Sequence, residues 1–175
     1  MARPFRILLY LHGIFLMAHG QGIPPLGQWR EHLPFNNAIA VSTEGNGVWC
    51  ATPYGFFSFD ASTSSFARKT RVNGLAEVRV SFMAREAATG RIALGYANSN
   101  LDILDGDQVL NIPDILLSNV SGDKRLNTAI WSGSELLIGS GLGIIAVNAD
   151  MREVTDTWRV GAGGAAIPVT SLVAK

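Results

Sequence analysis

Three apolar tetrapeptides decide the fold: Val48-Trp49-Cys50-Ala51, Ile92-Ala93-Leu94-Gly95 and Leu136-Leu137-Ile138-Gly139. Each ends in a small residue, and their first residues, at positions 48, 92 and 136, are spaced 44 residues apart. A fixed period of about 40 to 50 residues is typical of propellers and related repeat proteins. The spacing therefore predicts three copies of one structural unit.

Further segments surround each tetrapeptide at matching positions. A second apolar segment that ends in Asp or Asn follows at 56–60, 101–105 and 144–148. An apolar segment precedes each tetrapeptide at 38–41, 78–83 and 126–131, and a segment of mixed polarity comes last at 65–70, 108–112 and 153–159. Four short antiparallel strands per unit are the anatomy of a propeller blade. The mixed polarity of the last segment fits an outer edge strand that meets water.

These units predict an all-β chain of propeller blades with four antiparallel strands each. The predicted boundaries are 37–75 for blade 1, 76–124 for blade 2, 125–164 for blade 3 and 165–175 for the start of blade 4. Propellers usually have about four to eight blades around a channel. We therefore expect an incomplete ring, and a chain that is part of a larger protein. A single helical turn is expected at 114–118.

The first 20 residues have the features of a secretory signal peptide. Arg3 and Arg6 supply the positive charge, residues 7–17 are mostly apolar, and Ala18-His19-Gly20 has the small-residue pattern of a cleavage site. The apolar run is shorter than the roughly 18 residues that a membrane span requires. We expect export to the periplasm or the outer-membrane surface, no membrane span, and a leader segment over 21–36.

Charge and composition exclude several functions. Removal of Arg3 and Arg6 with the signal leaves 12 Lys and Arg against 14 Asp and Glu, so no basic stripe marks a nucleic-acid site. His32 is the only histidine after the signal, which rules out a multi-histidine metal site. Cys50, the only cysteine, is expected to be a small buried hydrophobe. We predict no catalysis, no metal and no cofactor, while an enzyme whose site lies outside this chain stays open.

An acidic cluster is the one motif that resembles a metal site. Asp102, Asp105 and Asp107 form a D-x-x-D-x-D pattern, without the spacing and terminal Glu of an EF-hand loop. In the repeat, Asp105 aligns with Asp60 and Asn148, residue types that accept hydrogen bonds from a following turn. The alignment favours a turn over a metal site.

Propeller topology supplies a candidate binding surface. Connections between the second and third strands of a blade, and those between successive blades, lie at one rim of the channel. Six aromatic or cationic side chains fall in or beside them: Tyr54 and Tyr96 in the first kind, and Arg71, Arg79, Lys124 and Arg125 in the second. Rings and cations together suit an anionic glycan, through stacking and charge-assisted hydrogen bonds. The alternative is that these side chains pack or solvate the loops.

Residues 28–38, Gln-Trp-Arg-Glu-His-Leu-Pro-Phe-Asn-Asn-Ala, resemble the opening of the PorZ family, a surface-exposed component of the type IX secretion system of Bacteroidota. The pattern is echoed at 74–75, 95–102, 111–115, 122–127 and 142–148. The resemblance implies a larger protein with two propellers, a β-sandwich module and a carboxy-terminal secretion signal. It also implies a non-enzymatic role in cargo attachment, with secretion-system proteins and anionic lipopolysaccharide as partners.

The blade pattern leaves two other functions open. Periplasmic glycan-sensing propellers of hybrid two-component regulators share the same repeat, so the specific part of the resemblance is mainly the leading segment. A fragment of a glycan-processing enzyme is the remaining alternative.

Overall fold

The computed structural model describes residues 33 to 173, whose strands form three four-stranded sheets. Blade 1 contains β1 (Ala40–Glu44), β2 (Gly47–Thr52), β3 (Gly55–Asp60) and β4 (Ser65–Lys69). Blade 2 contains β5 (Val80–Arg85), β6 (Ile92–Tyr96), β7 (Leu101–Asp105) and β8 (Gln108–Ile112). Blade 3 contains β9 (Leu126–Ser132), β10 (Glu135–Ser140), β11 (Gly143–Asn148) and β12 (Glu153–Trp158). Each sheet is an antiparallel meander in sequence order, which confirms the predicted blades.

Short helices lie only in the connections of the described region. Single 3-10 turns, Arg71–Asn73 and Ala162–Gly164, follow blades 1 and 3. The helix α1 (Asp114–Leu117) follows blade 2, where one helical turn was expected. None of these helices has the length and apolar character to cross a membrane. The expected signal peptide (1–20) and most of the leader segment (21–36) lie outside the described residues.

Residues 165–173 run past blade 3 without joining a strand ladder. The Val169 amide donates to the Ser140 carbonyl at 2.9 Å, and Asn127 Nδ2 donates to the Val169 carbonyl at 3.0 Å. This tail therefore docks beside β9 and β10, where the first strand of a fourth blade was expected.

Packing of blade on blade explains the apolar tetrapeptides. Blade 2 lies between the other two, so every residue of β6 is buried, as is every residue of β7 except Asp105. One apolar cluster joins blades 1 and 2 around Phe56 and Leu94, and a second joins blades 2 and 3 around Ile103 and Ile138. A strand that is covered on both faces needs a continuous apolar run instead of an alternating one.

The small residue at the end of each tetrapeptide lies opposite a side chain of the first strand. Gly95 pairs with Phe82, and a Cβ atom at position 95 would overlap the Phe82 ring. Gly139 pairs with Thr128, and a Cβ there would lie 2.8 Å from Thr128 Cγ2. The small residue that ends each tetrapeptide thus reflects the close approach of the first and second strands of a blade.

The expected turn role is confirmed for Asp60 and Asn148. Asp60 Oδ1 accepts from the amides of Ser62 (2.8 Å) and Thr63 (3.2 Å), and Asn148 Oδ1 accepts from the two amides at the matching positions of its own loop. At Asp105 the structure differs: the β7–β8 loop has only two residues, and neither of their amides donates to the Asp105 carboxylate. Asp105 instead pairs with Arg91 at 3.5 Å.

We expect Gly95→Ala to lower the free energy of unfolding by about 1 to 3 kcal/mol, because the new methyl group overlaps the buried Phe82 ring. Urea denaturation measures the loss. Phe82→Leu in the same chain frees space, so the double variant should lose less stability than the sum of the single variants. Strict additivity of the two changes would contradict this packing.

Asp60 provides a pH-dependent turn. The Ser62 hydroxyl and the Thr63 and Ser62 amides hold the pKa of Asp60 below its usual value, so the turn contributes at neutral pH and loses its acceptor as the pH falls through that lowered pKa. NMR titration should show the Ser62 and Thr63 amide shifts moving only below the ordinary Asp range of about pH 4. In Asp60→Asn both shifts should stay flat, and a midpoint above that range in the parent would contradict the assignment.

Candidate functional site

Backbone hydrogen bonds bring the two kinds of connection together, as the topology predicted. The Arg79 amide donates to the Pro53 carbonyl at 2.7 Å, and the Ala97 amide donates to the Arg79 carbonyl at 2.9 Å. One blade further on, the Gly141 amide donates to the Arg125 carbonyl at 3.1 Å. We call the surface formed by residues 53–54, 70–79, 97–100, 113–125 and 141–142 the rim.

Three of the six candidate side chains, Tyr54, Arg71 and Arg79, are exposed on the part of the rim formed by residues 53–54 and 70–79. Tyr54 is 40 % exposed, and the Pro53–Arg79 bond places Arg79 beside its connection. Arg79 is exposed with a backbone φ of 64°, and no carboxylate of the described residues lies within ion-pair distance of it. Arg71 is exposed and pairs with Glu77 at 3.6 Å. Arg79 therefore presents a guanidinium without a competing acid.

Tyr96 is not an exposed rim side chain, because it is fully buried. Its hydroxyl donates to Asp102 Oδ2 at 2.5 Å. Burial, followed by the Asp102 carboxyl, raises the pKa of Tyr96 above its usual range. The repeat carries the signal for this burial, since Thr52, Tyr96 and Ser140 are spaced 44 residues apart and none of the three is exposed to solvent. Each of them also donates its hydroxyl within its own blade.

Asp102 is the acceptor at the centre of a buried polar network. Besides Tyr96, the Ala76 amide donates to Oδ2 at 2.9 Å, and Asn111 Nδ2 donates to Oδ1 at 2.9 Å. A fully buried carboxyl is tolerated only with such partners. The acidic-cluster pattern grouped Asp102 with Asp105, but the two side chains serve separate contacts. A lone charge in a strand predicted to be buried is the signal that could have identified this network.

Lys124 and Arg125, the two cations in the connection between blades 2 and 3, differ in how exposed their charged groups are. Lys124 is half-buried and donates through Nζ to the carbonyls of Leu116 (2.8 Å) and Ser118 (3.1 Å) at the end of α1. Arg125 has a 75 % exposed side chain and pairs with Asp123 at 2.6 Å, and the hydrogen bonds that its guanidinium donates to that carboxylate raise the pKa of Arg125. Lys124 thus holds the loop, whereas Arg125 faces solvent.

Arg125 also lines a cavity of about 440 Å³ beside β5 and β9, the first strands of blades 2 and 3. Ser81, Asn127 and Thr170 line it from blade 2, blade 3 and the tail. Ser81 and Asn127 each stand two residues after a rim arginine, a repeated pairing that the sequence reasoning missed. Guanidinium, hydroxyl and amide groups together can bind an anionic or hydroxyl-rich ligand.

Among residues 33 to 173 no group of side chains is arranged to hold a metal ion. No three His, Cys, Asp or Glu side chains converge between residues 33 and 173. Cys50 is buried, as expected, and burial raises the pKa of its thiol. His32 lies outside the described residues.

Comparison with solved structures identifies the fold. PorZ of Porphyromonas gingivalis, described as an essential bacterial surface component of the type-IX secretion system, has a TM-score of 0.58 at 19 % identity, over 70 % of this chain and 18 % of PorZ. The extracellular domain of BT4673, a putative one component system of B. thetaiotaomicron, has a TM-score of 0.56 at 16 % identity, over 73 % of this chain and 18 % of that one. A nidogen/laminin complex has a TM-score of 0.53 at 9 % identity, over 69 % of this chain and 46 % of the matched chain. At these identities the likeness establishes the fold alone.

Sequence comparison is more specific. No curated protein matches the chain. A family model described as the PorZ N-terminal β-propeller domain of the type IX secretion system matches residues 48–173, from the first tetrapeptide to the docked tail. Because this match covers most of the chain, the protein belongs to the PorZ N-terminal β-propeller family.

Proposed function

We propose that this chain is part of a non-enzymatic, exported cell-surface component of the type IX secretion system. In this role it binds secretion-system proteins and an anionic lipopolysaccharide while cargo is attached to the surface. The observation that carries the proposal is the match of residues 48–173 to the PorZ propeller model. The chain spans 18 % of the P. gingivalis PorZ chain, so the role of the whole protein is inferred from this one domain.

The exposed cations of the rim support the anionic ligand. Arg79 and Arg125 occupy equivalent positions before β5 and β9, and their backbones are fixed by matching amide bonds to neighbouring loops. Exposed guanidinium groups form charge-assisted bidentate bonds with phosphate or carboxylate groups. The Tyr54 ring offers a stacking surface for a sugar. Arg71 adds charge next to Tyr54 and Arg79. Glu77 partly offsets the charge of Arg71, and Asp123 partly offsets that of Arg125.

In this proposal Tyr96 and Lys124 position the rim loops and do not contact the ligand. The Tyr96 hydroxyl bonds the Asp102 carboxyl, which also holds the Ala76 amide of the first inter-blade connection. Lys124 fixes the second such connection by bonding the end of α1. Both side chains thereby set the path of the loops that present the arginines.

Deletion of the full-length gene tests the role in secretion. We expect unprocessed cargo to remain attached to the cell, and the parent gene to restore normal processing. Cargo that is processed and attached normally in the deletion strain would contradict the proposal.

The rim is tested with lipopolysaccharide purified from the same organism. Arg79→Ala combined with Arg125→Ala should weaken binding at least about tenfold at low salt, because two charge-assisted contacts are lost. Arg152→Ala, at an exposed loop arginine of the β11–β12 hairpin, is the matched control and should bind like the parent. Equal binding by the rim variant and the control would contradict this site.

A further inference from the structure

A groove lies between α1 and the face of blade 3 that packs on blade 2. Its volume is about 340 Å³, and its floor consists of Leu142, Ile145 and Val154. Val120, from the connection after α1, forms one wall and is 44 % exposed. A cleft of this size and apolar lining is in the range that holds a ligand.

The wall formed by α1 is held in place by polar contacts. Asp114 Oδ2 accepts from the Val154 amide at 3.1 Å, which ties the helix to β12. At the other end of α1, Lys124 Nζ bonds the carbonyls of Leu116 and Ser118. The groove is thus preformed, and a ligand that enters it avoids the cost of ordering this loop.

Apolar exposure continues from the groove to the surface of the same segment. Leu117 on α1 is 71 % exposed, close in sequence to the half-exposed Val120. Leu117 and Val120 thus add exposed apolar surface next to the groove.

Charges at the edge of the groove indicate the chemistry of its ligand. Arg159 is exposed and has no carboxylate within ion-pair distance in the described part of the chain. Asp114 uses Oδ2 for Val154, and no donor among residues 33 to 173 bonds its Oδ1. A guanidinium and a free carboxyl oxygen complement a ligand that carries both an acid and an amide N–H. A peptide with an acidic side chain supplies both groups, whereas an acyl chain has a carboxylate for Arg159 but no N–H for the exposed Asp114 oxygen.

We propose that this groove binds an extended peptide segment of a protein partner, in which an apolar side chain is followed by Asp or Glu. The apolar side chain packs on Leu142, Ile145 and Val154, the acid pairs with Arg159, and a backbone amide donates to Asp114. This mode uses neither Arg79 nor Arg125, so it stands independently of the lipopolysaccharide site and of the role in secretion.

Selection from a phage-displayed library of random dodecapeptides on the purified chain tests the inference. Enriched peptides should share an apolar residue next to an acidic one. Fluorescence polarisation with the labelled best peptide should show that Val120→Asp and Arg159→Glu each weaken binding at least about tenfold. Arg152→Glu, at the far end of the same hairpin, makes the same charge change outside the groove and should bind like the parent. Dodecanoate should not displace the peptide.

Three results would overturn the inference: no enrichment, unchanged binding in both groove variants, or displacement by dodecanoate, which would assign the groove to a lipid. Val120 and Arg159 are exposed, so thermal unfolding of their variants should match that of the parent. Val120→Ser and Arg159→Gln, which make smaller changes at the same positions, should weaken binding in the same order.

Discussion

The carboxyl of Asp102 is fully buried in a sheet that other blades cover on both faces. A carboxyl in such a place costs several kcal/mol unless donors surround it. Its donors come from three segments: the Tyr96 hydroxyl in β6, the Asn111 amide group in β8 and the Ala76 main chain between blades 1 and 2. One side chain therefore joins the strands of blade 2 to the segment that enters it. The apolar faces stack the blades, and this bond fixes how they are connected.

The geometry of the rim is set by the connections between successive blades. Ala76 lies three residues before Arg79, whose amide bonds the Pro53 carbonyl next to Tyr54. The Asp102–Ala76 bond and the Pro53–Arg79 bond thus hold the same segment, from which the Arg79 side chain is exposed. The second connection is held in the same manner by Lys124, which fixes α1 and with it one wall of the peptide groove. Residues of a propeller rim can therefore serve binding without contacting a ligand themselves.

The 44-residue period made the strands predictable, because an apolar run and its small terminal residue must recur wherever one blade packs on another. The rim was predictable to the level of its connections, since topology alone brings them together. The direction of side chains was not predictable. The sequence shows that Tyr96 aligns with Thr52 and Ser140, but only the structure shows that all three side chains are buried. Asp105 does not share the turn role of Asp60 and Asn148, because it precedes a two-residue hairpin whose amides do not bond its carboxylate. The groove was beyond prediction, as it depends on where α1 packs against β12.

The Asp102 carboxyl holds the connection between blades 1 and 2 through the Ala76 amide. Asp102→Asn offers one acceptor oxygen to three donors, so it should lower the free energy of unfolding by about 2 to 4 kcal/mol. Hydrogen exchange followed by NMR should show selective loss of protection at the Ala76 amide. The control Asp105→Asn, in the exposed hairpin of the same motif, should leave that amide protected. Unchanged protection of Ala76 in Asp102→Asn would contradict the account.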